Sequence, residues 1–311
     1  MTDSRPEAVY SYLQSLQKGL CAALEKEERG HGFIADAWER PPATDALSGR
    51  GLTATLEGGA ILERAGVALS DVSGTRLPPA ATARNPNLSG TPFRAMGVSV
   101  VIHPRSPLVP TAHLNVRCFT AGEIWWFGGG FDLTPYLPIE DDIRQWHQAA
   151  AQACEPFHAQ LYPRLRAHCD EYFYLHHRGE ARGVGGIFFD DLNADTEIFG
   201  MPWERCFEFL QSVGTHFQQA YLALLQRRRH GVTGDRERRY QLYRRGRYAE
   251  FNLLQDRGTL FGLQSGGRTD AILMSMPPLA QWAYRSPDPE LDAKLLPYLT
   301  TLRGRDWLAS P

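Results

Sequence analysis

Two apolar–polar alternations, joined by a short proline-rich connector, constrain the fold of this chain more than any other feature. In Gly97-Val98-Ser99-Val100-Val101-Ile102-His103 a period of two places Ser99, Val101 and His103 on one face. In His113-Leu114-Asn115-Val116-Arg117-Cys118-Phe119 the same period places His113, Asn115 and Arg117 on one face, with Leu114, Val116 and Cys118 behind. The connector from Pro104 to Ala112 can bring the second strand back antiparallel to the first. A register that sets His103 beside His113 also sets Ser99 near Arg117. One sheet face then carries two imidazoles, an amide, a hydroxyl and a guanidinium, while the other is apolar. That face suits an anionic ligand that needs proton transfer.

The rest of the chain supplies more strands and the helices to cover them. Glu7 to Glu28 repeats apolar residues at helical spacing (Val9, Tyr12, Leu13, Leu16, Leu20, Leu24). Short strands or turns are expected over 33–38, 53–56 and 60–69, and a surface loop over 78–90. Strands follow near 95–103, 113–119 and 123–132. A long helical region opens on Glu140-Asp141-Asp142 and runs to about Leu175. Val184 to Phe189 reads as a strand, Trp203 to Arg229 and Asp235 to Arg247 as helices. Three further strands are expected near 248–254, 258–264 and 270–276, and a helix from Pro289. Strands grouped with short connectors predict an antiparallel sheet with helices packed on it, a single α+β domain over 1–311.

Composition narrows the function. A formal net charge of −2 over 311 residues gives no global attraction to nucleic acid or an anionic membrane. No apolar run is long enough for a membrane span, and the N-terminus lacks a signal-peptide core. Five cysteines without any C-x-x-C pair argue for a reducing compartment, and a cytoplasmic location is the expectation. Arg227-Arg228-Arg229-His230 and the run from Arg236 to Arg247 are basic, but Asp235 and Glu237 interrupt them. A solvated helix, or one making subunit salt bridges, accounts for them better than nucleic acid.

Three motifs carry chemistry. Trp125-Trp126-Phe127-Gly128-Gly129-Gly130-Phe131-Asp132 sets three glycines among aromatics, either a kinked core strand or a side-chain-free floor for a flat ligand. Gly185-Gly186-Ile187-Phe188-Phe189-Asp190-Asp191 ends a buried strand in two carboxylates that alternation sends to opposite faces. They are acid–base candidates or a turn cap, and the sequence does not choose between them. Ser265-Gly266-Gly267-Arg268 offers backbone N–H groups and a guanidinium to a carboxylate, though such turns are common and their arginines are usually solvated. Among ten histidines, His103, His113, His147 and His177 could bind a divalent cation only by converging from distant segments, since no tight metal-ligand spacing exists.

Taken in order, Ala95 to Pro104, His113 to Arg117, Trp125 to Pro135, Gly183 to Leu192 and Tyr248 to Pro278 resemble the oxygen-dependent coproporphyrinogen III oxidases. Glu250-Phe251-Asn252-Leu253, Asp256-Arg257-Gly258-Thr259 and Gly266-Gly267-Arg268-Thr269 are the most telling blocks. The resemblance implies a homodimer with a large antiparallel β-sheet flanked by α-helices on both sides. It implies conversion of two propionates of coproporphyrinogen III to vinyl groups, giving protoporphyrinogen IX. O2 is then the oxidant, carbon dioxide and hydrogen peroxide leave, and no organic cofactor is needed. It implies a proton donor at His113 and substrate contacts at Ser99, Asn115, Val116, Arg117, Gly266, Gly267 and Arg268. It places the pyrrole N–H contact at Asp190 or Asp191. It also implies that a divalent metal can sit at His103, His113, His147 and His177. Two residues depart from the family pattern, Gln255 and Cys118, both beside the implied positions rather than in them.

Overall fold

The computed structural model describes residues 4–28, 30–41, 47–75, 90–197, 199–264, 266–301 and 305–309. Helix α1 (Arg5–Glu28) leads into strands β1 (Ile34–Arg40), β2 (Ser48–Glu57), β3 (Leu62–Gly74), β4 (Phe93–Pro104), β5 (Thr111–Ala121) and β6 (Ile124–Thr134). Helices α2 (Glu140–Cys154) and α3 (Leu161–Tyr172) follow, then a two-stranded hairpin of β7 (Tyr174–Leu175) and β8 (Glu180–Ala181) and the strand β9 (Gly185–Leu192). The chain ends in helices α4 (Trp203–Arg228), α5 (Asp235–Leu254), α6 (Arg257–Gln264), α7 (Thr269–Leu273) and α8 (Pro289–Thr300).

The main sheet runs β1-β2-β3-β4-β5-β6-β9, every neighbouring pair antiparallel. Period-two alternation divides it into two unlike faces. Val98, Val100 and Ile102 of β4, Leu114, Val116 and Cys118 of β5, and Phe127, Phe131 and Leu133 of β6 are all buried on one face. The stripe Val9, Leu13, Leu16, Leu20 and Leu24 of α1 packs there, beside Phe209, Val213 and Phe217 of α4. Burying an aliphatic or aromatic side chain contributes roughly 1.5–3 kcal/mol, so this face holds the sheet together. The opposite face is lined by Ser99, His113, Asn115, Arg117 and Asp132. It is covered only in part, by α3 beside β9 and by segments of α5 to α7.

The expected strands near 95–103, 113–119 and 123–132 are present, but their register differs from the expected one. Ser99 faces Asn115, Val101 faces His113 and Gly97 faces Arg117. His103 therefore lies two residues from the position that would set it beside His113. Because the slip is by two, every side chain keeps its expected face. The long helix expected from Glu140 to Leu175 is two helices, broken at 155–160, where Pro156 offers no N–H and disfavours helix in the residue before it. The loop expected over 78–90 lies outside the described residues except for Gly90, which is in a turn.

The strands expected over 248–254 and 258–264 are helical instead, and the one expected over 270–276 is a short helix to Leu273 followed by a turn. Tyr240, Tyr243, Arg244, Arg247, Tyr248, Phe251 and Asn252 are buried at spacings of three and four, so α5 continues its inward stripe through 248–254. Asp256 then starts α6 by accepting hydrogen bonds from the Thr259 N–H and hydroxyl, each at 2.8 Å. An N-cap of this kind is worth about 1 kcal/mol. Most arginines of the basic runs are paired with carboxylates of the same chain. Arg227 and Arg228 pair with Asp142, Arg229 with Glu27, Arg236 with Asp288, Arg238 and Arg245 with Glu63, and Arg244 and Arg247 with Glu180. Arg244, Arg245 and Arg247 are buried, which corrects the expectation of a solvated helix.

Candidate active site

The polar face is organised around Asp132. Strand pairing sets Asp132 directly across from His113, whose Nδ1–H donates to Asp132 Oδ1 at 2.9 Å. Arg182, which follows β8, donates from Nη2 to both Asp132 oxygens at 2.9 Å and from Nη1 to Asn252 Oδ1 at 2.8 Å. The guanidinium of Arg182 lies over Phe173, Tyr248 and Phe251, 4.2–4.6 Å from their ring centroids. Each side chain of the Arg182–Asp132 pair is only 2 % exposed. The bonds from both Arg182 Nη atoms and the three aromatic faces offset the cost of burying this pair, while Arg182 Nε has no hydrogen-bond partner. Burial would raise the Asp132 carboxyl, but Arg182 and His113 outweigh it and hold Asp132 below its ordinary range. The His113 side chain is 21 % exposed. With Nδ1 committed to Asp132, Nε2 is the nitrogen left for proton transfer.

Arg117 lies flat over the glycine floor. A Cβ on Gly128 would sit 2.8–2.9 Å from the guanidinium, so a larger residue there would require Arg117 to shift from its present place. Arg117 donates to Asn115 Oδ1 and to Asp190 Oδ1, both at 2.7 Å, while Arg257 reaches Asp190 Oδ2 at 3.3 Å. The structure therefore puts Asp190 on the polar face. Asp191 is exposed and takes a left-handed φ of 56° as β9 bends away. Ser99 lies across from Asn115 on the same face. Val116 does not share it: its side chain is wholly buried against the apolar layer, as is that of Cys118. Toward the far end of the face, Phe119 stacks on Trp126 at 3.8 Å and on Phe93 at 5.7 Å, forming a flat aromatic wall.

Gly266, Gly267 and Arg268 form the turn between α6 and α7. Gly266 has a left-handed φ of 70°, and the Gly267 N–H donates to Gly262 O at 2.8 Å. Arg268 pairs with Asp36 of β1, and Arg40 donates to Gly266 O at 3.0 Å. Asp36 and Arg40 share the sheet face of Ser99 by register. The turn is thus drawn over the same face from the opposite side.

The four histidines do not fit a common metal. Among the described residues, no group of three or more His, Cys, Asp or Glu side chains is placed to hold an ion. His103 is fully buried, with Nε2 at 2.9 Å from Ser275 O and Nδ1 at 3.0 Å from Thr111 Oγ1. A carbonyl can only accept, so Nε2 carries the proton and Nδ1 accepts from the Thr111 hydroxyl, leaving no lone pair for a cation. His147, buried between α2 and β9, is occupied in the same way by Val184 O at 3.0 Å and Tyr162 at 3.1 Å. Burial lowers His147 to about 3 and holds His103 well below its ordinary range, so both are neutral. His177 sits on the β7–β8 turn, paired with Glu250 at 2.8 Å. Of the four, only His113 belongs to the cluster around Asp132.

Several residues of this site carried no assignment from the sequence. Asp132 had a signal, since alternation in β6 puts it opposite His113 once the register is known. Arg182 and Asn252 had none, because the β7–β8 hairpin and α5 bring them in from distant segments, while Asp256 carried only the signal of a helix cap. Asp256 also accepts from Tyr172 Oη at 2.9 Å. Burial would raise Asp256, but hydrogen bonds from Thr259, the nearby His113 and Tyr172 hold it below its ordinary range. A sequence model of coproporphyrinogen III oxidase matches residues 8–307, which takes in every element of the sheet and every residue of this cleft. The chain belongs to the coproporphyrinogen III oxidase family, oxidoreductases that decarboxylate a porphyrin precursor in haem biosynthesis.

Proposed function

We propose that this protein catalyses the oxygen-dependent oxidative decarboxylation of two propionate groups of coproporphyrinogen III to vinyl groups, giving protoporphyrinogen IX. The observation that carries this reading is the single polar face that holds both His113, fixed by Asp132, and Arg117, on a glycine floor. For each propionate, the outer methylene loses its carboxyl group as carbon dioxide, and the methylene next to the pyrrole loses a hydrogen with its electron pair as the double bond forms. O2 takes the two electrons and two protons and leaves as hydrogen peroxide.

An electron-rich pyrrole can deliver these electrons itself, so the protein must orient the macrocycle, balance its charges and move protons. Arg117, Arg257 and Arg268 supply guanidiniums for the propionates. Asp190, shared by Arg117 and Arg257, is placed to turn to the pyrrole N–H groups when propionates take those arginines. Arg182 keeps Asp132 ionised, Asp132 holds the His113 Nδ1–H, and His113 Nε2 exchanges the proton with substrate. No step is routed through a metal, because His103 and His147 have both ring nitrogens in protein hydrogen bonds.

Aerobic incubation with coproporphyrinogen III, followed by oxidation and reading of protoporphyrin fluorescence, tests the assignment. Product that survives thorough chelation is expected. Tight binding of the tetracarboxylate by folded protein without product would instead make the chain a carrier, and loss of product on chelation would restore a metal to the mechanism. Arg268→Ala is expected to raise KM with kcat nearly unchanged, and an undiminished affinity for the tetracarboxylate would remove Arg268 from the binding set.

A further inference from the structure

The segment from Gly266 to Met276 reaches over the polar face and is tied down at a few points. At its far end, His103 Nε2–H donates to Ser275 O at 2.9 Å and Arg64 Nη1 donates to Met276 O at 3.1 Å. Between them the Met274 thioether sits over Gly66, where a Cβ would come within 2.7 Å of its sulfur. At its near end, Arg40 and Asp36 hold Gly266 and Arg268.

His103 is itself held by a chain of hydrogen bonds with one consistent direction. Arg245 Nη1 is anchored on Glu63 at 2.6 Å, and its Nε donates to Tyr136 Oη at 3.3 Å. Tyr136 donates to Thr111 Oγ1 at 2.5 Å, and the Thr111 hydroxyl donates to His103 Nδ1 at 3.0 Å. The only proton left on the imidazole is on Nε2, directed at the Ser275 carbonyl. Tyr248 closes the site edge-on at 5.0 Å. A chain that fixes the tautomer of one imidazole, and spends that tautomer on one backbone carbonyl, is a positioning device.

We propose that His103 is a positioning residue, whose Nε2–H to Ser275 O bond sets the segment 266–276 so that Gly266, Gly267 and Arg268 meet a propionate. This rests on the reading above that the Gly-Gly-Arg turn binds substrate carboxylates. The chemical step does not use His103, and neither does a metal.

Three variants separate this from other roles. His103→Leu removes the bond, His103→Asn keeps a partner for Thr111 but is too short to reach Ser275, and His103→Gln restores a donor of the right reach. Amide hydrogen exchange without substrate is expected to rise about tenfold across 266–276 in the Leu and Asn variants, the factor one hydrogen bond supplies, and to return toward wild type in Gln. KM for coproporphyrinogen III is expected to rise by about the same factor with kcat within about threefold, and far less in an Arg268→Ala background. Unchanged exchange at 266–276 in both Leu and Asn would overturn the proposal, as would a fall in kcat at constant KM or restoration of the Leu variant by added manganese. If the wild type makes no protoporphyrinogen, the reading of the activity fails, while the exchange measurement still decides whether His103 holds the segment.

Discussion

In the proposed mechanism the chemistry of the cleft turns on Asp132, the carboxylate that His113 and Arg182 share among the described residues. Asp132→Asn keeps the volume but loses the charge that orients the imidazole and neutralises the guanidinium. A fall in kcat of about 10²–10⁴-fold is expected in steady-state assays, the range for losing a positioned acid–base group, with His113→Ala no worse. If Asp132→Asn stays within a few-fold of wild type, His113 is not positioned through Asp132. Asp170 carries a different prediction. Both of its oxygens are buried without a hydrogen-bond partner, and its nearest cation, Arg166 Nε, is 3.5 Å away. Burial pushes its carboxyl up to about 7, with Arg166 opposing. A carboxyl raised in the folded state binds its proton more tightly folded than unfolded. Its contribution is therefore most favourable below about pH 4 and is lost as pH rises through about 7. Asp170→Asn should match wild type in Tm near pH 4 and exceed it near pH 8. Equal melting temperatures at both pH values would show that Asp170 does not titrate in this window.

At the scale of elements, the sheet was largely legible and the segment after residue 247 was not. Alternation in 97–103 and 113–119 placed Ser99, His113, Asn115 and Arg117 on one face, and they share one in the structure. A register slip of two residues preserves every face, so alternation alone does not reveal it. In 248–254, by contrast, a short run of mixed aromatic and polar residues satisfies both periods. Only its continuity with the buried stripe Tyr240, Arg244, Arg247 and Phe251 decides for helix. The spacing of Asp256 and Thr259, three residues apart, is the local sequence mark of the α6 cap. Asp256→Ala is expected to cost about 1 kcal/mol in urea unfolding. The glycine floor is a second element-level constraint. Gly130 has a φ of 140°, and a Cβ there would lie 2.1 Å from Ile187 O of the neighbouring strand. Gly130→Ala should therefore lower stability by about 1–3 kcal/mol or more and disturb the β6–β9 pairing that presents Asp190. Wild-type stability in that variant would mean that β6 relaxes without its present twist.

For the whole molecule, an apolar face covered by α1 and α4 supplies the stability, and the opposite face is left to a polar cleft. The charge pattern of the arginine-rich α5 predicts a solvated or intersubunit surface, because charge runs usually are one. Here it lies inside the fold, where Glu63 and Glu180 each hold more than one guanidinium. No local pattern distinguishes the two cases, since the carboxylates come from β3 and β8, far away in sequence. The four-histidine metal site had the same weakness: it required convergence of distant segments, and the fold instead gives His103 and His147 to backbone carbonyls. The proposed function asks the remaining cleft to orient a tetracarboxylate and move protons, with oxygen as the oxidant. The most direct test is to mix anaerobic protein with coproporphyrinogen III, follow protoporphyrinogen IX, and then admit air while recording oxygen uptake. No product before air, then product with two O2 consumed per protoporphyrinogen, is the predicted result. Product formed in the sealed, oxygen-free vessel would contradict it.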